Sequence, residues 1–229
     1  MKSLTLTLTL LLAGCASAPP PAPPAPAASS VQVQYENVPG QGPAKAKPPA
    51  EYTRPLKGLT ITPLGSPDPY APGAGFADGW PVAYNAKAGW ADLTHCYGTV
   101  GVGRDLAPDT GTGGELYAII GHGPRQLDRV IAIVGRVVEG IERFSTLPRG
   151  TEALGFYKDK SQYVPIASIR LASEIPPTDR PSFEVMDTNS PSFARYLKIR
   201  ANRHDVFYTA PAGGVDLCNA AVPVRKKPA

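Results

Sequence analysis

Few side chains in this 229-residue sequence belong to the kinds that do covalent chemistry; three histidines and three cysteines are present. His95 stands next to Cys96, and in a thiol enzyme such neighbours would form a thiolate and its base. They read more simply as a structural histidine and a disulfide-type cysteine. Asp105, Asp109 and Glu115 offer oxygen ligands, but a loop rich in Gly, Asp and Thr is ordinary turn chemistry. No His or Cys stands at zinc-ligand spacing from Cys96 or Cys218, so no metal is expected. Ser, His and Asp residues show no nucleophile-elbow context, which argues against a hydrolase. No cofactor is expected.

The elements that must position any site are those of a loop-rich protein. Hydrophobic residues make up 42% of the chain, enough for a core, while 27 prolines and 23 glycines exclude a helical bundle. The composition points to a mainly β or α+β fold. A net charge of +4 is mild and spread out, so no nucleic-acid partner is expected. Lys226 and Lys227 read as a solvated tail.

The N-terminus carries a targeting signal over 1–14. Lys2 supplies a positive n-region and Leu4 to Leu12 an apolar run too short to span a bilayer. Leu12-Ala13-Gly14-Cys15 resembles a bacterial lipobox, which implies lipidation of Cys15 and a membrane anchor there. Ala16 directly after it favours the periplasmic face of the outer membrane; the alternative is ordinary secretory cleavage and a soluble periplasmic protein. With Cys15 lipidated, Cys96 and Cys218 remain as an even pair in an oxidising compartment, either disulfide-bonded or two buried thiols. Residues 15–50 read as a Pro/Ala-rich linker, stiff over Pro19 to Pro26, with one alternating patch at Val31 to Tyr35.

The core begins near Gly75, after a coil over 51–75 that reads as ordered on the surface or as partly mobile. Tyr97 to Gly103 reads as a glycine-punctuated strand, Leu116 to Ile120 and Val130 to Val138 as buried strands, and Glu139 to Thr146 as a helix stopped by Pro148. Tyr163 to Ala172 alternates like a further strand. Beyond 174, Phe183 to Met186 is extended. Ser190-Pro191 opens a helix with Phe193, Tyr196, Leu197 and Ile199 on its apolar side. Val206 to Thr209 and Val215 to Val222 read as extended.

Glycines at 98, 101 and 103, the Thr112-Gly113-Gly114 loop, Glu115 to Ile120, Leu127-Asp128 and Ile131 to Gly140 follow one another in an order that resembles the central strands of cyclophilin-type peptidyl-prolyl isomerases. Val134-Gly135-Arg136-Val137-Val138-Glu139-Gly140 is the most specific element, and Tyr163 to Ala172 matches the last barrel strand. The resemblance implies a partial or divergent cyclophilin-like β-barrel over 51–174, with a helical and extended C-terminal extension over 175–229. It implies isomerisation of X-Pro bonds in exported, proline-containing polypeptides, with no nucleophile or cofactor. Such a catalyst lowers a barrier of ~18–20 kcal/mol by gripping the peptide and aiming a donor at the prolyl nitrogen.

By position the resemblance makes Gly103, Glu115, Tyr117, Leu127 and Ile131 substrate-binding residues, with Arg104 at the peptide-binding pair beside Gly103. His122, at the end of a strand, is a turn residue or touches substrate. The family's catalytic guanidinium comes from an upstream Phe-His-Arg-Val-Ile segment. Its nearest echo here, Val31 to Gly42, contains no arginine. Arg104 and Arg125 are therefore the expected donors, with surface or salt-bridging roles as their alternative. Two other functions stay open: a non-catalytic polypeptide-binding lipoprotein, and a truncated, inactive remnant of a longer isomerase.

Overall fold

The computed structural model describes residues 48–227 and the backbone of residues 30–34. The expected signal 1–14, Cys15 and most of the 15–50 linker lie outside the described residues. In chain order the strands are β1 (Ser30–Gln34), β2 (Arg54–Pro55), β3 (Thr62–Pro63), β4 (Gly73–Ala77), β5 (Trp80–Asn85), β6 (Trp90–Leu93), β7 (Thr99–Val102), β8 (Glu115–Ile119) and β9 (Ile133–Arg136). Helix α1 (Ile141–Ser145), β10 (Phe183–Val185), α2 (Pro191–Ala201) and β11 (Val224–Lys226) follow.

Two antiparallel sheets carry the molecule. The first has the order β1-β8-β7-β9 and the second β2-β6-β5-β4-β3; β10 and β11 form a separate pair. This is a mainly β fold with few helices. β1 lies inside the stretch expected as linker and pairs along its whole length with β8, Ser30 opposite Ile119 and Gln34 opposite Glu115. In the second sheet, β4 turns into β5 through Asp78 and Gly79, both at positive φ (48° and 79°). A two-residue Asp-Gly turn of this kind matches the twist of the strands it joins.

One apolar core joins the second sheet to the C-terminal segment. Leu64, Ala74 and Phe76 pack against Phe193 and Leu197 of α2 and against Leu217, Ala220 and Val222. Phe76 and Phe193 meet edge to face at 4.9 Å. Ser190 caps α2 by accepting from the Phe193 N–H, and Pro191 holds its first turn. The segment after 174 is thus part of the same core as the strands before it. A disulfide between Cys96 and Cys218, 122 residues apart in sequence, fastens it.

Several expected elements differ. Tyr163 to Ala172 forms no strand: it is irregular, and Tyr163, Val164, Ile166, Ile169 and Leu171 are exposed. Alternation needs a neighbouring edge to become a strand, and Pro165 removes one ladder donor. The strand expected over Val130 to Val138 shortens to β9, because it is the sheet's edge, and Val130, Val134 and Val138 face solvent. Val206 to Thr209 is exposed and irregular rather than extended. Within Val215 to Val222 a 3-10 turn at Leu217–Asn219 sends Leu217, Ala220 and Val222 inward together. Ile199 leaves the apolar side of α2, which buries only Phe193 and Leu197.

Candidate functional site

The residues singled out from the sequence gather around the β7–β8 pair. Gly101 lies opposite Tyr117, and the Gly103 N–H donates to the Glu115 carbonyl at 2.8 Å. A Cβ at Gly103 would stand 2.7 Å from the Glu115 side chain, which would have to move aside for it. Gly101 likewise leaves room for the Tyr117 ring, 2.4 Å from where its Cβ would sit. A 3-10 turn at Arg125–Leu127 follows β8, and the chain then runs back beside β7. There the Val102 N–H donates to the Ala132 carbonyl at 3.1 Å, and the Ile131 N–H to the Leu127 carbonyl at 3.2 Å. Gly103, Glu115, Leu127 and Ile131 are half-buried.

Arg104 extends from the end of β7 toward this returning segment. Its Nε donates to the Val130 carbonyl at 3.0 Å and its Nη1 to the Asp105 carbonyl at 2.7 Å. Among the described residues these bonds go to neutral carbonyls and no carboxylate forms an ion pair with the guanidinium. It is half-exposed. His122 is exposed at the turn after β8.

Arg125 occupies a different setting. Its side chain is 3% exposed, and its donors go to Asp68, from Nη1 at 2.8 Å and Nη2 at 3.3 Å, and from Nε to Asp128. Burial alone would lower its pKa, but the bonds to the two carboxylates outweigh that and hold it charged. The Tyr70 ring lies 4.9 Å below it. This Arg125 is a buried salt-bridging group, the alternative weighed for it, and is not free to reach a substrate.

Asp128 passes the network on to His95, which is fully buried. Asp128 Oδ1 accepts from the His95 backbone N–H at 2.8 Å and stands 3.0 Å from its Nδ1. A carboxylate paired with Arg125 can only accept, so Nδ1 carries a proton, and in the neutral ring Nε2 is an acceptor. The Tyr117 hydroxyl, 3.0 Å from Nε2, is then its donor. Tyr117 is buried, and burial pushes its phenol pKa up, so it stays protonated. A chain of Asp68, Arg125, Asp128, His95 and Tyr117 thus fixes the floor beneath the β7–β8 pair. His95 is a structural histidine in this network, and Cys96 is in the disulfide.

Among the described residues, Asp92 on β6 is a buried carboxylate that the network leaves out. It is 4% exposed, and neither of its oxygens has a hydrogen-bond partner. Burial and the nearby Asp128 charge, partly offset by Arg129 and Arg125, raise its pKa from 3.8 to about 7. Because the folded-state value is raised, ionisation is penalised in the fold, and the penalty grows as pH climbs from about 4 to 7. Asp92→Asn is expected to be more stable than the parent by about 3 kcal/mol near neutral pH, with the gain gone below about pH 4. Urea unfolding of both proteins across that range checks this; a gain independent of pH would refute the ionisation account.

Among the described residues no group of three His, Cys, Asp or Glu is placed to hold a metal ion, and no helix is long and apolar enough to cross a membrane. Two cavities, of about 470 and about 450 Å³, do not reach the candidate residues: none of Gly103, Arg104, Glu115, Tyr117, Leu127 and Ile131 lines either. The buried network escaped the sequence reading because Asp68, His95 and Asp128 are far apart in the chain.

The fold has a counterpart among solved structures. The crystal structure of cyclophilin AquaCyp293 from Hirschia baltica superimposes with a TM-score of 0.60, covering 82% of this chain and 73% of that one at 22% sequence identity. The fold is cyclophilin-like. No protein-family model and no curated protein matches the sequence.

Proposed function

We propose that this cyclophilin-like fold serves a peptidyl-prolyl cis-trans isomerase that acts on exported, proline-containing polypeptides, tethered to the periplasmic face of the outer membrane through a lipid on Cys15. The observation that carries it is Arg104: a half-exposed guanidinium, pinned by two backbone carbonyls, next to Gly103 and Glu115. A twisting X-Pro bond localises a lone pair on the prolyl nitrogen, and a fixed cationic donor beside the peptide stabilises that state. Glu115 and the Gly103 backbone stand where the flanking peptide would lie, with Leu127 and Ile131 as apolar contacts for the ring. Tyr117 supports this surface from below, its ring fixed by the bond to His95.

Arg104→Ala is expected to lower kcat/KM by about 10²–10³, the usual effect of losing one preorganised donor. A protease-coupled assay on the full chain with a prolyl peptide reads it. Activity of the unmodified chain at background level would remove the isomerase reading, and an unaffected Arg104→Ala variant would remove Arg104 from it.

A second reading, a polypeptide-binding module without catalysis, is favoured by one observation. The residues around Arg104 line neither of the two cavities, so neither of these supplies a pocket for a proline ring there. Saturable binding of a proline-rich peptide without turnover would select this reading.

A further inference from the structure

We propose that the cavity under Arg136 is a binding site for an apolar monocarboxylate of the fatty-acid type, separate from the surface around Arg104. The cavity, about 470 Å³, lies between the entry to β7, the end of β9 and the strip 217–222. The Cys96–Cys218 disulfide stitches that strip to the β7 wall, so the cavity has a covalently fixed side. Its volume is in the range of small-ligand sites and suits a chain of about ten carbons.

Charge selects the ligand's head. Arg136 is the one charged residue that lines the cavity. Its Nη1 donates to the Gly79 carbonyl at 2.8 Å, and its guanidinium lies 5.1 Å from the centroid of the Trp80 ring. Among the described residues no carboxylate pairs with it, in contrast to Arg125, Arg203 and Arg225. Burial lowers its pKa, as expected for a desolvated cation with no counter-ion. A carboxylate meets a guanidinium through two parallel hydrogen bonds and supplies the missing charge.

The lining selects the ligand's body. Pro81, Val138, Ile141, Leu217 and Val222 present carbon surface, and no acidic residue is among the lining. The Thr99 hydroxyl is already committed, accepting from the Cys96 N–H and donating to the Thr94 carbonyl. Besides Arg136 and the committed Thr99, the polar side chains of the lining are Tyr97 and Asn219, fewer than the several amide groups of a peptide, and unpaired buried amides are unfavourable. An alkyl chain brings none.

Isothermal titration of the full chain with decanoate tests this, with decanol and a short peptide bearing a free apolar C-terminal residue as the other arms. One saturable site for decanoate is expected, with decanol and the peptide each at least about tenfold weaker. Arg136→Gln should weaken decanoate by about tenfold or more, and Arg136→Lys should recover part of it. Val138→Trp fills the cavity from a position that is 44% exposed, so it should abolish binding and keep the fold, even where an Arg136 variant fails to fold. The proposal is overturned by absence of saturable decanoate binding, by unchanged affinity in Arg136→Gln or Val138→Trp, or by decanol or the peptide binding as tightly as decanoate.

Discussion

Replacing Arg125 with Met is expected to lower the free energy of unfolding by about 3–5 kcal/mol, the range for removing one partner of a buried ion pair. Asp68 and Asp128 have side chains only 1% and 5% exposed, and both would stay buried with their shared cation gone. The damage would not stop at the pair. Asp128 also orients His95, and His95 is hydrogen-bonded to Tyr117, so three chain segments lose their common anchor. Combining Arg125→Met with Asp68→Asn and Asp128→Asn should recover part of the loss, because it removes the uncompensated charge and not the contacts. Chemical denaturation gives the measurement. A loss below about 1 kcal/mol for the single variant would mean that water reaches the carboxylates and that the network is not sealed.

Cys218→Ser is expected to destabilise the protein on the same scale or more. Closing a loop across a sequence separation of 122 removes chain entropy worth about 5 kcal/mol from the unfolded state. For a chain of this size that corresponds to a drop in Tm on the order of 10–20 °C. Reduction of the unmodified protein with a dithiol should reproduce the effect and add nothing to the variant. Equal melting of oxidised and reduced protein would show that the C-terminal core holds the segment without the bond.

The first sheet was the more legible half of the fold. Glycine spacing and the continuous apolar run located β7 and β8, and the Val31 patch located β1, since each has a pattern visible within a few residues. The β4–β5–β6 meander went unread although Asp78-Gly79 between apolar runs is a direct hairpin signal. Tyr163 to Ala172 shows the opposite failure: it has the alternation of a strand, but no described edge receives it. At the candidate site, the residues around Gly103 could be placed by local pattern. The roles of Arg125 and Arg136 could not. Arg125 follows β8 and Arg136 ends β9, and only tertiary contact decides that one faces two carboxylates while the other, among the described residues, pairs with none.

The shared core has a bearing on the order in which the chain can fold. Leu64, Ala74 and Phe76 are made early in synthesis, while Phe193, Leu197, Leu217, Ala220 and Val222 leave the ribosome more than a hundred residues later. Until then the second sheet must wait with its apolar face uncovered, a state that invites aggregation or a chaperone. Closure of this core therefore waits on a late segment: residues 193–222 complete what residues 64–76 begin.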